Sequence, residues 1–294
     1  MFRNWKTSPI LALTSLIAVT AIWGSTFVIV QNAVLRMPVM DFLAVRFAVA
    51  ALVMLALRPS CLKHITRRGL LHGVWLGIAM GLGYISQTFG LLSASAAVSG
   101  FITGMFVVLT PVIAWLVLRH KINRNTWIAV FLATFGLALL SLHGWSVGTG
   151  ELPTLACAVF FAVHIVGLGE WSHLHETYGL TLIQISTVAV ISLIASSPGG
   201  IMLPPDPEVW LAVGITAVLA TAVAFLVQTW AQALVSPTRA AVVMTMEPVF
   251  AGIFTVALGG NQLTVRILIG AACVLAAMLI VQIKSASKSS QAEN

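Results

Sequence analysis

Long runs of apolar residues, separated by short polar segments, extend along almost the whole chain. Most of these runs are close to the ~20 residues that cross a hydrocarbon core as an α-helix. The pattern predicts ten transmembrane helices, of which the second, fifth, sixth and seventh are short. The runs are bounded at 9–30, 42–57, 70–92, 96–118, 126–142, 151–169, 180–196, 209–231, 239–259 and 265–283.

The composition agrees with a membrane environment. Of 294 residues, 59% are hydrophobic and only 8% are charged, which is more apolar surface than a soluble chain of this length could bury. The first run continues past any small-residue cleavage site, so it is interpreted as a membrane span and not as a signal peptide. The expected fold is an all-α integral membrane protein.

Lysine and arginine residues indicate the orientation, because short cytoplasmic loops accumulate them. With the N-terminus inside, twelve of the fifteen basic residues fall on the inner side, and both termini are then cytoplasmic. The net charge of +7 follows from this bias, so no nucleic-acid partner is expected. The twelve residues are Arg3, Lys6, Arg58, Lys63, Arg67, Arg68, Arg119, Lys121, Arg124, Arg239, Lys284 and Lys288.

The two halves of the chain contain matching motifs. "QTFGLL" precedes "VVLTPVIA" in the first half, and "QTWAQAL" precedes "MTMEPVFA" in the second, so Gln87 matches Gln228 and Pro111 matches Pro248. Five helices per copy is an odd number, so the second copy enters the membrane inverted. We expect two five-helix repeats, at 8–143 and 150–283, around a central cavity, followed by a polar cytoplasmic tail at 284–294.

Four stretches carry a resemblance to a known family: "IWGSTFV", "FLAVRFAVAALVML", "FITGMFVVLTPVIAWLVL" and "MEPVFAGIFTVALGGNQLT". In this order and spacing they resemble the EamA-type transporters of the drug/metabolite transporter superfamily. The resemblance implies a ten-helix inverted-repeat metabolite exporter in a prokaryotic inner membrane. The family usually carries a Gly-Glu pair after the ninth helix, where this chain has Gly260 and Asn261.

The paired prolines are candidates for the transport site. A proline inside a helix frees the backbone carbonyl four residues earlier, which places free carbonyls at Val107 and Met244 for Pro111 and Pro248. Paired helix interruptions in two halves point to a binding site in transporters. A plain packing kink is the structural alternative. Thr110, which directly precedes Pro111, is included in the predicted substrate site.

Two charged residues fall inside predicted spans. Ionisable residues there are costly and usually functional, so Glu247 is the candidate for proton coupling or substrate contact, with capping of kinked backbone as the alternative. Arg46 could be its charge partner or could hold a substrate carboxylate. Alternatively, Arg46 could extend to the outer interface near Asp41.

Uncharged polar and aromatic residues complete the predicted substrate site. Gln87 and Gln228 could bind a polar ligand or bond across helices, with Tyr84 and Trp230 close to them in sequence. Trp23 lies in mid-span beside small and hydroxyl residues, so either close helix packing or a cavity wall formed by Trp23 with Ser25 or Thr26 explains it.

The stretch "HIVGLGEWSHLHET" at 164–177 is the one grouping with metal-ligand chemistry, through Glu170, His173, His175 and Glu176. It falls at the cytoplasmic end of a predicted span, where polar residues are ordinary. We therefore expect neither a metal site nor another cofactor.

Transport is the favoured function. The chain has no H-E-x-x-H, G-x-S-x-G or P-loop motif and no sizeable soluble segment, so an enzyme or an ATP-driven pump is not expected. The leading hypothesis is a secondary exporter of small amphipathic metabolites, with protons as the coupling ion through Glu247. A facilitative channel or uniporter and a non-transporting membrane scaffold are the alternatives. The sequence does not indicate an oligomeric state.

Overall fold

The computed structural model describes residues 8–119, 124, 128, 131–132, 135–136, 139, 142–143, 146–235, 237–244, 246–257, 264–266, 268–273, 275–277 and 280. Its main elements are helices, and one small hairpin pairs β1 (Leu142–His143) with β2 (Ser146–Val147) in antiparallel register. The helices are α1 (Pro9–Val34), α2 (Val39–Leu57), α3 (Arg67–Gly90), α4 (Ala96–Thr103), α5 (Phe106–Leu118), α6 (Glu151–Trp171), α7 (Thr177–Ser196), α8 (Pro207–Ala217), α9 (Ala224–Gln232), α10 (Pro237–Met244) and α11 (Met246–Ala257).

Short helices of other types join these elements. Three 3-10 helices occupy Pro59–His64, Ser172–Leu174 and Ser197–Gly199. A π-helical segment, Val218–Val223, connects α8 to α9, so that the three together form one continuous span.

Seven helical stretches in the described part of the chain are long and apolar enough to cross a membrane. The protein is therefore a multi-pass membrane protein, as predicted. Much of the predicted spans at 126–142 and 265–283, like Gly260, Asn261 and the tail at 284–294, lies outside the described residues. The seven stretches are Pro9–Val34, Val39–Leu57, Arg67–Gly90, Ala96–Val117, Glu151–Leu174, Thr177–Gly199 and Pro207–Gln232.

Polar residues between the apolar runs start several helices. A side-chain oxygen at the N-cap accepts a hydrogen bond from a backbone N–H that has no partner within the helix. Ser8, Thr66 and Ser95 do this for α1, α3 and α4. Glu176 accepts from the Gly179 N–H at 2.6 Å, and Asp206 accepts from two N–H groups of α8. These caps explain why the chain turns where the polar segments occur.

Pro111, but not Pro248, lies inside a helix together with the residue whose carbonyl it was expected to free, Val107. The break in the fourth predicted span lies at Gly104 and Met105, between α4 and α5, while Pro111 lies inside α5. Pro248 is the third residue of α11, where backbone N–H groups have no acceptor within the helix and a proline is tolerated. Met244, whose carbonyl was expected to be freed, is instead the last residue of α10.

Helices of the first half pack mainly on helices of the second half. α1 lies against α9 and α11, α2 lies against α7, and α3 lies against α6 and α7, whereas α1, α2 and α3 touch one another only sparsely. At Gly24 of α1 the approach is close, because an added Cβ would lie 2.6 Å from Phe250 Cβ and 2.8 Å from the Ala251 nitrogen. The core of the molecule is therefore the interface between its halves.

Candidate functional site

A cavity lies at the centre of the interface between the halves. Its volume is about 40 Å³, and eight helices contribute side chains to its wall, most of them aromatic, amide, charged or aliphatic. The described residues that line it are Trp23, Thr26, Phe27, Val30, Arg46, Tyr84, Gln87, Leu91, Phe106, Phe161, His164, Ile165, Phe225, Gln228, Met244 and Glu247.

Part of the predicted substrate site lies at this cavity. Five of the ten predicted substrate residues line it, as does the predicted charge partner: these are Trp23, Tyr84, Gln87, Gln228, Glu247 and Arg46. The remaining predicted residues, Ser25, Thr110, Pro111, Trp230 and Pro248, are not among the described lining residues. The cavity thus draws on both halves, as the matched motifs suggested.

Two of the hydroxyl residues that do not line the cavity form hydrogen bonds within their own helices. Ser25 donates to the Ile22 carbonyl at 2.7 Å, and Thr110 donates to the Phe106 carbonyl, also at 2.7 Å. The hydroxyl group of a Ser or Thr in a helix commonly donates to the carbonyl three or four residues earlier. Trp230 is half-buried and packs against the core.

Trp23 is held in place by the π-helical segment. Its indole Nε1–H donates to the Ala220 carbonyl at 2.8 Å, and its ring centroid lies 5.3 Å from that of Phe225. The irregular backbone at membrane depth is tolerated because protein groups satisfy it. The π segment was not predicted, since "ITAVLATAVAF" reads as an ordinary apolar helix.

Arg46 is buried without a carboxylate partner. The residue is 2% exposed, and its Nε donates to the Thr221 hydroxyl at 2.9 Å. Its guanidinium carbon lies 4.7 Å from the centre of the Tyr84 ring, a cation–π distance. Among the described residues no acid, neither Glu247 nor Asp41, lies within ion-pair distance. The side chain therefore stays in the interior instead of extending to the surface.

Glu247 is the acidic residue of the cavity. It is the second residue of α11 and is 6% exposed. A carboxylate in the first turn of a helix is favoured by the partial positive charge of the helix N-terminus. No described residue donates a hydrogen bond to its side chain or forms an ion pair with it, so the carboxyl group is free to meet a ligand or a proton.

His164 was not predicted as a site residue. It lies in α6, is 1% exposed, and its Nε2 lies 2.8 Å from Gln184 Oε1 on α7. Phe225 is near its ring, with centroids 6.0 Å apart. Its occurrence in the middle of an apolar run was the available signal, because ionisable residues inside spans are usually functional.

The histidines considered as metal ligands form a different cluster. His175 Nε2 lies 2.8 Å from His72 Nδ1 of α3, and the His72 ring stacks on Trp171 at 4.4 Å. Glu176 caps α7 and forms an ion pair with Arg58 at 3.0 Å. Burial, together with the neighbouring histidines, lowers the pKa of His175. Among the described residues no group of three or more metal-ligating side chains occurs.

Comparisons with known proteins agree with a transporter architecture. The model of the EamA-like transporter family matches residues 10–142 and 148–283. An uncharacterized transporter of Archaeoglobus fulgidus is 34% identical over 268 residues, which are 90% of this chain and 84% of that protein. The uncharacterized transporter YetK of Bacillus subtilis is 28% identical over 163 residues, 53% of this chain and 48% of YetK. One solved crystal structure, at 17% identity, covers 91% of this chain with a TM-score of 0.68 and shares its fold.

Proposed function

Because the chain belongs to the EamA-like transporter family, we propose that it is a secondary active transporter that exports small amphipathic metabolites, such as amino acids or drug-like compounds. Export would proceed by alternating access, in which the two halves rock about a central site. One observation carries the proposal: the cavity between the halves presents Arg46 and Glu247, neither of which has an ionic partner among the described residues.

The packing pattern supports an inverted repeat of two five-helix units, at 8–143 and 150–283. The first helix of each half packs on the third and fourth helices of the other half, and the two second helices pack on each other. Such reciprocal packing is what a pseudo-two-fold axis in the membrane plane produces. In this proposal the ten predicted spans form two interlocked bodies that move relative to each other.

The residues of the cavity wall support the proposal that the substrate is amphipathic. Trp23 and Tyr84 each pack against Phe225, and the three rings provide apolar faces, while Arg46 provides a cation for an anionic ligand group. Few placed polar groups in a largely apolar pocket are typical of small-molecule sites.

Glu247 is the proposed proton-coupling residue. Removal of a carboxyl group from water favours its neutral form. Ligand entry and changes in hydration at the cavity can therefore make Glu247 bind or release a proton. The carboxyl group of Glu247 has no hydrogen-bond or ionic partner among the described residues, which supports this role. Arg46 is the cation that could replace the proton in one state of the cycle.

The proposed location is the cytoplasmic membrane of a prokaryote, with both termini in the cytoplasm. The bias of lysine and arginine supports this orientation. It places the 3-10 helix Pro59–His64 on the cytoplasmic side, and the ion pairs of Arg36 with Asp206 and Glu208 on the outer side.

Flux in reconstituted liposomes tests the proposal. Labelled amino acids and amphipathic cations are offered with and without an imposed pH gradient, to wild type, to Glu247→Gln, and to Glu170→Gln, an exposed carboxylate outside the cavity, as the matched control. We expect gradient-driven uphill flux in wild type and Glu170→Gln, and only downhill exchange in Glu247→Gln. Flux that ignores both the gradient and Glu247 would indicate a facilitator, and absence of any flux would refute transport.

A further inference from the structure

Two chains of side-chain hydrogen bonds end at the cavity. Each determines which atom of the group at its end is a donor and which is an acceptor. Gln232 Nε2 donates to the Ile165 carbonyl at 3.1 Å, so its Oε1 is the oxygen that accepts from Gln228 Nε2 at 3.0 Å. The amide of Gln228 is thereby oriented. Its Oε1 is left buried and without a hydrogen-bond partner among the described residues.

The second chain orients His164 in the same manner. Gln184 Nε2 donates to the Leu180 carbonyl at 3.1 Å, so Gln184 Oε1 is the acceptor that faces His164 Nε2 at 2.8 Å. The histidine must therefore carry its proton on Nε2. In the neutral ring Nδ1 is then an acceptor, and no described residue donates to it.

The two residues that carry the free acceptors border the same cavity. The first chain is anchored on the carbonyl of Ile165, the residue that follows His164 in α6, and both Gln228 and His164 border the cavity. A buried acceptor without a donor is costly. Gln228 Oε1 is such an acceptor, and with His164 Nδ1 and Glu247 it belongs to a cavity wall that a hydrogen-bond donor would satisfy.

We propose that His164 and Gln228 determine substrate specificity by accepting hydrogen bonds from an N–H-rich group, a primary ammonium, and that Gln184 and Gln232 are positioning residues that hold these acceptors in orientation. The inference rests on the proposed function, since it assigns the ligand chemistry of the same cavity. A quaternary ammonium has the same charge and no N–H donor, so it should bind more weakly.

Binding of a matched pair of cations to the purified, detergent-solubilised protein tests the inference. The probes are 2-phenylethylammonium and trimethyl(2-phenylethyl)ammonium, which share their aryl group and charge. We expect the primary ammonium to bind about tenfold more tightly or better, the effect of a hydrogen bond from a charged donor. The ratio of the two Kd values is the readout, because both come from one preparation and losses of folded protein cancel.

Substitutions at Gln228 separate hydrogen bonding from steric fit. In Gln228→Leu the ratio should fall toward one through weaker binding of the primary ammonium, whereas Gln228→Glu, which keeps an acceptor, should retain it. Gln31→Leu is the matched control, because the Gln31 amide donates to the Leu91 and Ala94 carbonyls and does not line the cavity. A ratio unchanged in Gln228→Leu would mean that size alone excludes the quaternary cation, and would overturn the inference.

The positioning role has its own readout. Gln232→Met removes the acceptor that orients Gln228, so the ratio should fall while the Gln228 side chain remains. A carboxylate presents an acceptor oxygen in either orientation, so the double variant Gln232→Met/Gln228→Glu should regain the ratio. Failure of this rescue, or His164→Phe with the wild-type ratio, would contradict the assignment.

The liposome experiment distinguishes this inference from the proposed function. Flux without any preference for N–H donors would leave the transporter in place and remove the assigned specificity. Selective binding without flux of any compound would refute transport and leave the acceptor site. Absence of saturable binding of both cations would overturn the inference itself.

Discussion

Arg46 is the largest fully buried side chain that the structure describes, and it is charged. Burial of a charge without an opposite charge is unfavourable, and the contacts with Thr221 and Tyr84 offset only part of that cost. The proposed transport role accounts for this unfavourable burial, since functional sites commonly trade stability for activity.

Arg46→Met should therefore stabilise the protein while it abolishes transport. Methionine fills a similar volume without a charge, and we expect an increase of ~1 kcal/mol in the free energy of unfolding, or about 2–4 °C in Tm. Thermal unfolding in detergent and liposome flux measure the two effects. Arg46→Lys, which keeps the charge, should show no such increase, and a marked fall in the Tm of Arg46→Met would show that the guanidinium is structural.

Sequence patterns identified single residues only where their own chemistry was unusual. Glu247, Gln228 and Trp23 stood out in apolar runs and do line the cavity. Thr221 and Gln184 did not stand out, because their importance comes from partners on other helices, Arg46 and His164. Contacts across a fold of this kind are invisible to a pattern read along one chain.

At the scale of elements, close approach of α1 to α11 sets the position of the cavity's acid. Gly24 faces the backbone of α11, where an added Cβ would lie 2.9 Å from the Glu247 carbonyl oxygen. Small residues at such crossings let membrane helices pack through van der Waals contact. The glycine in "IWGST" is therefore explained by packing, while Trp23 beside it faces the cavity.

Gly24→Ala should destabilise the protein and displace Glu247. Overpacking of a close interface costs about 1–3 kcal/mol, so we expect a lower Tm and impaired flux. Gly81→Ala is the matched control in α3, because its Cβ would lie 3.4 Å from Val188 Cγ2, an ordinary contact distance, and alanine favours the helix. Equal Tm values for the two variants would contradict the packing account.

Helices were easier to predict than the interruptions within them. The length of an apolar run is a local property, and it located most helix starts to within a few residues, where the structure shows polar caps such as Thr66 and Asp206. The break at Gly104 and Met105 and the π segment Val218–Val223 depend on which neighbouring groups satisfy the loosened backbone. Proline was a poor guide, because Pro248 lies in a first turn where it costs little.

At the scale of the whole molecule, contacts at both ends of the bundle join the halves. At one end Arg36 of the α1–α2 connection pairs with Asp206 and Glu208. At the other, His72 meets His175, and Tyr178 donates to the Met54 carbonyl at 2.7 Å. In the proposed alternating-access cycle, one of these two sets of contacts would open at a time.

The histidine contact should make stability depend on pH. The pKa of His175 is lowered by burial and by His72 and His173, so the folded protein binds this proton less tightly than the unfolded chain. The contribution of His175 to the free energy of unfolding is complete above ~6.5, the pKa of histidine in the unfolded chain, and is lost as pH falls below that value. The facing groups are those three histidines, with the Arg58–Glu176 ion pair at the same end.

Thermal unfolding at pH 7.5 and 5.5 measures this contribution. The fall in Tm between the two values should be smaller in His175→Gln than in wild type, by about 2–4 °C at most, because solvent screening limits the effect to ~1 kcal/mol or less. His64→Gln, an exposed histidine of the neighbouring loop, should retain the wild-type difference. An identical fall in wild type and His175→Gln would exclude the histidine contact as its source.

The exchange of packing partners between the halves also has a consequence for biosynthesis. A ribosome delivers α1, α2 and α3 to the membrane long before α6, α7 and α9, on which they will pack. During that interval the surfaces of α1, α2 and α3 that will pack on the second half have no protein partner there. Arg46 then has no Thr221 hydroxyl to accept its hydrogen bond. We therefore expect membrane quality-control proteases to degrade a chain truncated between the halves faster than the full chain.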